Sequence, residues 1–334
     1  MMRTWTKPSI DHAVADFLWS QWSQLGLAGA TRRDDRWAMD PEALIQFSLR
    51  FAPREPRLFG EVLDWLRANG RVISAHRLRN LARDDRGRRL ADAALTWAGM
   101  HNSKLQLWAK GGRLRVSDDL EPLGDLYVQE MDPAFSASGF AWPHTPPSRK
   151  SGVVDVSRPI ALAFRLRLAF GVGARAEVTR FLLTTDQPES TTSSVAHASA
   201  FSQRNVLDAL NEMAEAEVLT GRSAGRGSVY SLDTPRWAAF LGLGGQTVPL
   251  FVDWIRLLSA LWNVVDWFDE DSRIERSEYL QASEARALIS RLRPDLQAIG
   301  VSLPRDTSTH GTEYWATFQS VVDSLLRMLD APSE

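Results

Sequence analysis

Residues 177–232 read EVTRFLLTTDQPESTTSSVAHASAFSQRNVLDALNEMAEAEVLTGRSAGRGSVYSL, and the order of elements in this stretch decides the fold. Val178, Phe181 and Leu182 recur at helical spacing, and the helix they define stops in a run of Thr, Asp, Pro and Ser that cannot propagate it. Residues 190–194 offer hydroxyl caps for a short second helix carrying Val195 and Ala198. Ser202 caps a third helix, in which Val206, Leu210 and Met213 form one apolar stripe while Arg204, Asp208, Asn211 and Glu215 lie opposite. Residues 217–220 then read as a short strand, SAGRG as a tight turn, and SVYSL as a returning strand with Val229 and Leu232 turned inward.

Helix, helix, longer helix, strand, glycine-rich turn and strand is the order of a winged helix-turn-helix. From Ser202 through Leu232 the chain resembles the winged-helix transcription regulators of the MarR and ArsR type, whose third helix leads into a short strand and an Arg/Gly wing that closes in a YxL-like pattern, here Tyr230 and Leu232. One position departs from that pattern: such helices often end in a glycine, and Glu217 stands there. The resemblance implies a third helix whose N-terminal end enters the major groove, where Gln203, Arg204 and Asn205 have side chains suited to base edges. Ser202 and the helix N-terminus suit a phosphate, Thr192 and Ser193 the DNA backbone, and Arg222 and Arg226 in the wing the flanking minor groove or phosphates. Set against this, an Arg in a surface turn is ordinarily just solvated, and Gln203 and Asn205 also suit a first helical turn.

With 334 residues and 44% hydrophobic content the chain can bury two or three cores. It has no cysteine, which excludes disulfides and thiolate-bound metal. The start lacks the basic and apolar pattern of a signal peptide, and the longest apolar segment, VPLFVDWIRLLSALWNVVDWF, contains Asp253, Arg256, Asn263 and Asp266, so a cytoplasmic protein without a membrane span is expected. The net charge of −2 is unevenly spread: residues 1–150 carry 22 Lys and Arg against 18 Asp and Glu, 151–245 carry 9 against 9, and 246–334 carry 8 against 14. Any nucleic acid should therefore face the first two thirds of the chain.

Before the central stretch, the pattern predicts a helix over DHAVADFLWSQWSQLG and another opened by Asp40 and Pro41 and running to Phe51. From Arg57 three more follow: LFGEVLDWLRANG, closed by Asn69 and Gly70; SAHRLRNLARD, capped by Ser74; and RRLADAALTWAG, ending at Gly99. LQLWAKGGRLRV then alternates about a Gly-Gly turn, as a hairpin does, which suggests a second, divergent winged helix at residues 57–117. Residues 71–89 hold seven arginines against two aspartates. Arg77, Arg79, Arg83, Arg86, Arg88 and Arg89 are read either as a phosphate-contacting patch or, at even weight, as a solvated face paired with Asp84 and Asp85.

Residues 132–159, with five prolines, read as an extended, partly mobile linker that Phe140 and Trp142 could pin to a neighbouring domain. Residues 160–170 are an apolar helix that GVGAR breaks. Beyond Trp237 three amphipathic helices follow, the middle one broken at Pro294 and closed by Gly300.

The expected architecture is mainly α: an N-terminal helical domain at 1–131, the linker at 132–159, the winged helix at 160–245 and a helical domain at 246–334. Six scattered histidines match no metal-ligand spacing, and no nucleophile, P-loop or dinucleotide motif is present, so neither a metal, a cofactor nor an enzyme is expected. The primary expectation is a transcriptional regulator reading double-stranded DNA as a homodimer joined through its C-terminal helices. The alternative is an adaptor whose winged helices contact protein, antitoxin-like or part of a larger assembly; it is suggested by Asp208, Glu212, Glu215 and Glu217 on and just beyond the third helix.

Overall fold

A computed structural model describes residues 4–27, 36–51, 54–110, 119–124, 126–225, 227–243, 248–269, 277–303 and 313–329. The protein is mainly helical, and its chain divides into two compact units, one of residues 1–19 with 253–334 and the other of residues 20–252. The division falls inside the first helix, α1 (Lys7–Gln24).

In the first unit, the early turns of α1 accompany α13 (Trp254–Asp269), α14 (Glu278–Ala298) and α15 (Tyr314–Arg327). Leu257, Leu261, Val264, Ile289, Phe318 and Val322 fill its interior, and Phe17 stacks on Trp254 with ring centroids 5.9 Å apart. Trp5 anchors the segment before α1: Gln319 Oε1 accepts its N–H at 2.5 Å and Gln319 Nε2 donates to its carbonyl at 3.1 Å. Contrary to expectation, α14 runs through Pro294 without a break. It closes at Gly300 (φ +84°), with Val301 N–H donating to Leu296 O and Gly300 N–H to Gln297 O, both pairs of a Schellman cap.

The second unit opens with α2 (Pro41–Phe51), α3 (Pro56–Asn69), α4 (Ala75–Asn80) and α5 (Asp85–His101). The starts follow from caps legible in sequence: Asp40 Oδ1 accepts from Ala43 N–H, Ser74 Oγ from Arg77 N–H and Asp84 Oδ1 from Gly87 N–H. Trp22, Trp65 and Phe164 pack edge to face in its core, and the Trp65 indole donates to Leu25 O at 2.7 Å.

Two sequence expectations fail here for one reason. Gly99 does not end α5, which continues to His101, and the first arm of the expected hairpin is α6 (Gln106–Lys110). A Cβ on Gly99 would lie 2.6 Å from Ala109 N, so the glycine exists to let α6 lie against α5. The rest of the expected hairpin, residues 111–118, lies outside the described residues.

Residues 132–159 are extended for most of their length, but they are fastened to this unit rather than spanning a gap. Two-residue strands β1 (Glu121–Pro122) and β2 (Phe140–Ala141) pair in parallel, with α7 (Pro133–Ser136) between them. Phe140 and Trp142 are buried, Trp142 packing edge to face on Phe59 at 4.6 Å. Asn69 then clasps the chain from both sides, donating to Gly152 O at 3.0 Å and accepting from Val154 N–H at 3.1 Å.

The unit continues with α8 (Leu162–Phe170), α9 (Ala174–Thr184), β3 (Ser190–Thr191), α10 (Thr192–Ser199), α11 (Gln203–Glu215), β4 (Thr220–Ala224), β5 (Gly227–Ser231) and α12 (Thr234–Phe240). Strands order as β3-β5-β4, all antiparallel, with Ser190 opposite Tyr230 and Arg222 opposite Val229. Val178, Val195, Val206 and Leu210 are fully buried between the helices, with Leu162 and Leu166 beneath them. The inward residue of β5 is Tyr230, not Val229: Tyr230 is buried, whereas Val229 and Leu232 are half-buried. Its ring covers Gly221 and its hydroxyl donates to Asn211 Oδ1 at 2.9 Å.

Candidate functional site

The α10–α11 turn brings the sequence-nominated side chains of both helix starts together. Thr191 Oγ1 caps α10 by accepting from Ser194 N–H, and Ser202 Oγ caps α11 by accepting from Asn205 N–H, each at 3.2 Å. Ser202, Gln203, Arg204 and Asn205 are all exposed, and Gln203 Nε2 lies 3.4 Å from Ser193 Oγ across the turn. Ser193 is exposed and Thr192 half-buried. Among the described residues Arg204 makes no ion pair or side-chain hydrogen bond, and its guanidinium is exposed.

The β4–β5 hairpin is less free. Arg222 donates both Nε, at 2.5 Å, and Nη2 to the two carboxylate oxygens of Glu189, the residue before β3. This fork-to-fork pairing holds the Glu189 carboxyl below, and the Arg222 guanidinium above, its ordinary range. Arg226 lies outside the described residues. Along α11, Asp208, Glu212 and Glu215 are exposed, so the helix is basic only at its start; Glu212 is taken up by Arg175 of α9.

Where α11 ends, Val218 N–H donates to Met213 O and Glu217 N–H to Ala214 O, the same Schellman pattern as at Gly300. Its left-handed residue is Glu217, at φ +56°. The backbone a glycine ordinarily serves is thus adopted by a residue with a Cβ.

The arginines of residues 71–89 do not form a free patch. Arg77 is 1% exposed and cannot meet a phosphate, a correction to its reading as a surface cation. It donates to Asp40 at 2.7 and 2.5 Å, to Glu42 Oε2 at 2.7 Å and to the Ser199 carbonyl, the end of α10, at 2.8 Å. Arg79 pairs with Asp92 at 2.6 Å, Arg86 with Glu121 at 2.5 Å, and Arg89 with both Glu121 and Asp85. Arg83 and Arg88 are exposed; Arg88 reaches Asp85 only at 4.0 Å.

Arg77 belongs to a buried ionic cluster that no sequence motif announced. Asp40, Glu42, Arg77, Arg167, Glu177 and Arg180 are each 3% exposed or less, three of each sign. Glu42 bridges Arg77 and Arg167, Arg167 donates to Glu177 at 2.7 Å, and Arg180 returns to Glu177 at 2.8 Å. Ser74 N–H and the Val72 carbonyl supply further partners, to Glu42 and Arg167. Burial alone would raise the Glu177 carboxyl; the guanidiniums of Arg167, Arg180 and Arg77 outweigh it and hold it at about 2. Asp40 is likewise pushed well down by Arg77 and Arg180 against its own burial. The cluster joins α2 and α4 to α8, α9 and the end of α10.

One other buried carboxyl, Asp132, is pushed up by burial, although it accepts from Ala134 N–H at 3.0 Å as the cap of α7. Among the described residues, no group of three or more His, Asp or Glu side chains is arranged to hold a metal ion, and no helix is long and apolar enough to cross a membrane. No protein family, curated protein or solved structure matches this chain.

Proposed function

We propose that the segment from α9 to β5 is a winged helix-turn-helix and that it binds duplex DNA, with the start of α11 in the major groove and the β4–β5 hairpin on the flanking backbone. The observation that carries this reading is the capped start of α11, where Gln203, Arg204 and Asn205 are exposed together and Arg204 is unengaged. Thr192 and Ser193 stand beside it at the start of α10 and supply hydroxyl donors for a phosphate. The protein so read is a cytoplasmic transcriptional regulator, dimeric through its C-terminal helices.

The binding surface is narrow in charge. With Arg77, Arg79, Arg86 and Arg89 engaged by carboxylates, this reading places Arg204, Arg222 and Arg226 on the DNA. Counted per protomer, the expected dependence of log affinity on log salt therefore has a slope of about −2 to −3, and a dimer on two half-sites about twice that.

The test is selection of bound duplexes from a random pool, followed by titration of the best one with the protein and with Arg204→Ala combined with Arg222→Ala. The double variant should bind at least about tenfold more weakly and with a flatter salt dependence. Undiminished binding would remove this module as the reader.

A second reading, an adaptor contacting protein, is favoured by the exposed Asp208, Glu212 and Glu215 on α11 and by the engagement of Arg222 with Glu189. Duplex affinity that does not change with salt would favour it over the first.

A further inference from the structure

We infer that α4 lies on the same duplex as α11 and that the His76 imidazole donates to a backbone phosphate at the rim of the groove that α11 enters. The inference rests on the duplex-binding reading of α11 and extends it to a helix outside the α10–α11 pair.

Position carries the first part. Arg77 ties α4 to the end of α10, donating from Nε to the Ser199 carbonyl at 2.8 Å. Ser199 stands three residues before Ser202, the cap of α11, a separation of at most about 10 Å even along an extended chain. The major groove is about 12 Å wide, so with the start of α11 inside it, α4 comes to one of the two phosphate-bearing edges. Which side of α4 faces outward follows from its periodicity. Arg77 and Leu78 are buried and α4 packs on α2 and α5, whereas His76 and Asn80, four positions apart and so neighbours on one side of the helix, are both exposed.

Chemistry carries the second part. The Asn80 side-chain nitrogen lies 2.9 Å from His76 Nδ1. An amide nitrogen only donates, so Nδ1 accepts and the ring proton sits on Nε2. Among the described residues nothing accepts from Nε2, which leaves an exposed donor with its tautomer already fixed. The two arginines of α4 are engaged elsewhere, Arg77 in the interior and Arg79 with Asp92, so the free donor of this helix is a neutral one. A neutral donor beside the major groove suits a phosphate oxygen, to which it adds affinity without displacing a counterion.

The test uses the full chain and the duplex that the wild-type protein selects. His76→Ala should weaken binding about tenfold, the loss of one hydrogen bond to a charged acceptor. A mismatched duplex should lose the same factor, because a phosphate carries no base information, and the salt slope should stay where it was. Asn80→Ala frees the tautomer and should weaken binding about threefold, while the double variant binds no more weakly than His76→Ala, since Asn80 acts through the ring. Both positions are exposed, and an unchanged urea midpoint in each variant excludes unfolding as the cause. Wild-type affinity in His76→Ala, a loss confined to the selected sequence, a changed salt slope or additive losses in the double variant would each overturn the inference. Arg204→Ala on the same duplex separates it from the reading it rests on: a loss there with none in His76→Ala removes α4 from the duplex and leaves α11 on it, whereas no duplex binding by the wild-type chain removes both.

Discussion

Two of the places where arginine meets glutamate in the second unit share short-range geometry and have opposite surroundings. At Arg77, Arg167 and Arg180 the guanidiniums and their carboxylates are sealed from water; at Arg222 and Glu189 the side chains are 57% and 34% exposed. Removing six charges from water costs several kcal/mol per ion and is recovered only because every member has at least one opposite charge and the backbone groups of Ser74, Val72 and Ser199 complete the set. The exposed pair has no such desolvation to recover and little net energy to give. The buried cluster therefore acts as architecture, whereas the exposed pair adds little to it.

Breaking one member of each tests that contrast most strongly. Arg167→Met leaves Glu42 and Glu177 facing each other in the interior without their shared cation, and should cost about 3–5 kcal/mol in urea unfolding. Arg222→Met should leave the urea midpoint essentially unchanged. Equal losses would erase the distinction.

Acid separates the two next. Because the Glu177 carboxyl is held at about 2 in the folded protein against 4.5 for the free group, its contribution is fully present above pH 4.5 and is lost as the pH falls towards 2. That interval corresponds to about 3 kcal/mol, with Asp40 adding in the same direction. Unfolding free energy measured by urea titration across this range should fall accordingly; a flat profile would mean that the cluster is not charged as described.

Glu217 offers a smaller, oppositely signed effect. It occupies the left-handed position that Gly300 occupies at the end of α14. Glu217→Gly should raise stability by about 1 kcal/mol, read as an increase in the thermal midpoint. The smallest stability effect belongs to Glu189→Gln, which should leave the thermal midpoint unchanged while strengthening duplex binding by about threefold, as Arg222 passes from a carboxylate to a phosphate. Weaker duplex binding in that variant would show that Glu189 positions the wing instead of competing for it.

Local signals made much of the scaffold readable. The caps Asp40, Ser74 and Ser202 and the stripe Val206, Leu210 and Met213 depend on residues within a turn or two of each other, and they lie where their spacing predicts. What was not readable depends on partners far along the chain. Arg77 reads as one cation in a basic run because its acids are 35 and 37 positions away and its carbonyl acceptor 122. Tyr230 takes the inward place because β5 pairs with β4 and with the two-residue β3, and β3 is too short to show any alternation of its own. Gly99 looks like a stop until α6 is seen against it.

The hydrogen bond from Arg77 to the Ser199 carbonyl has a kinetic consequence. Fraying the end of α10 strands a guanidinium donor in the interior, and melting α4 withdraws that guanidinium from Asp40 and Glu42. Neither helix can open alone without an uncompensated charge or donor, so their amides should exchange with deuterium as one cooperative unit. The α10–α11 pair is thereby timed by a residue outside it: how long α10 stays closed is set in α4.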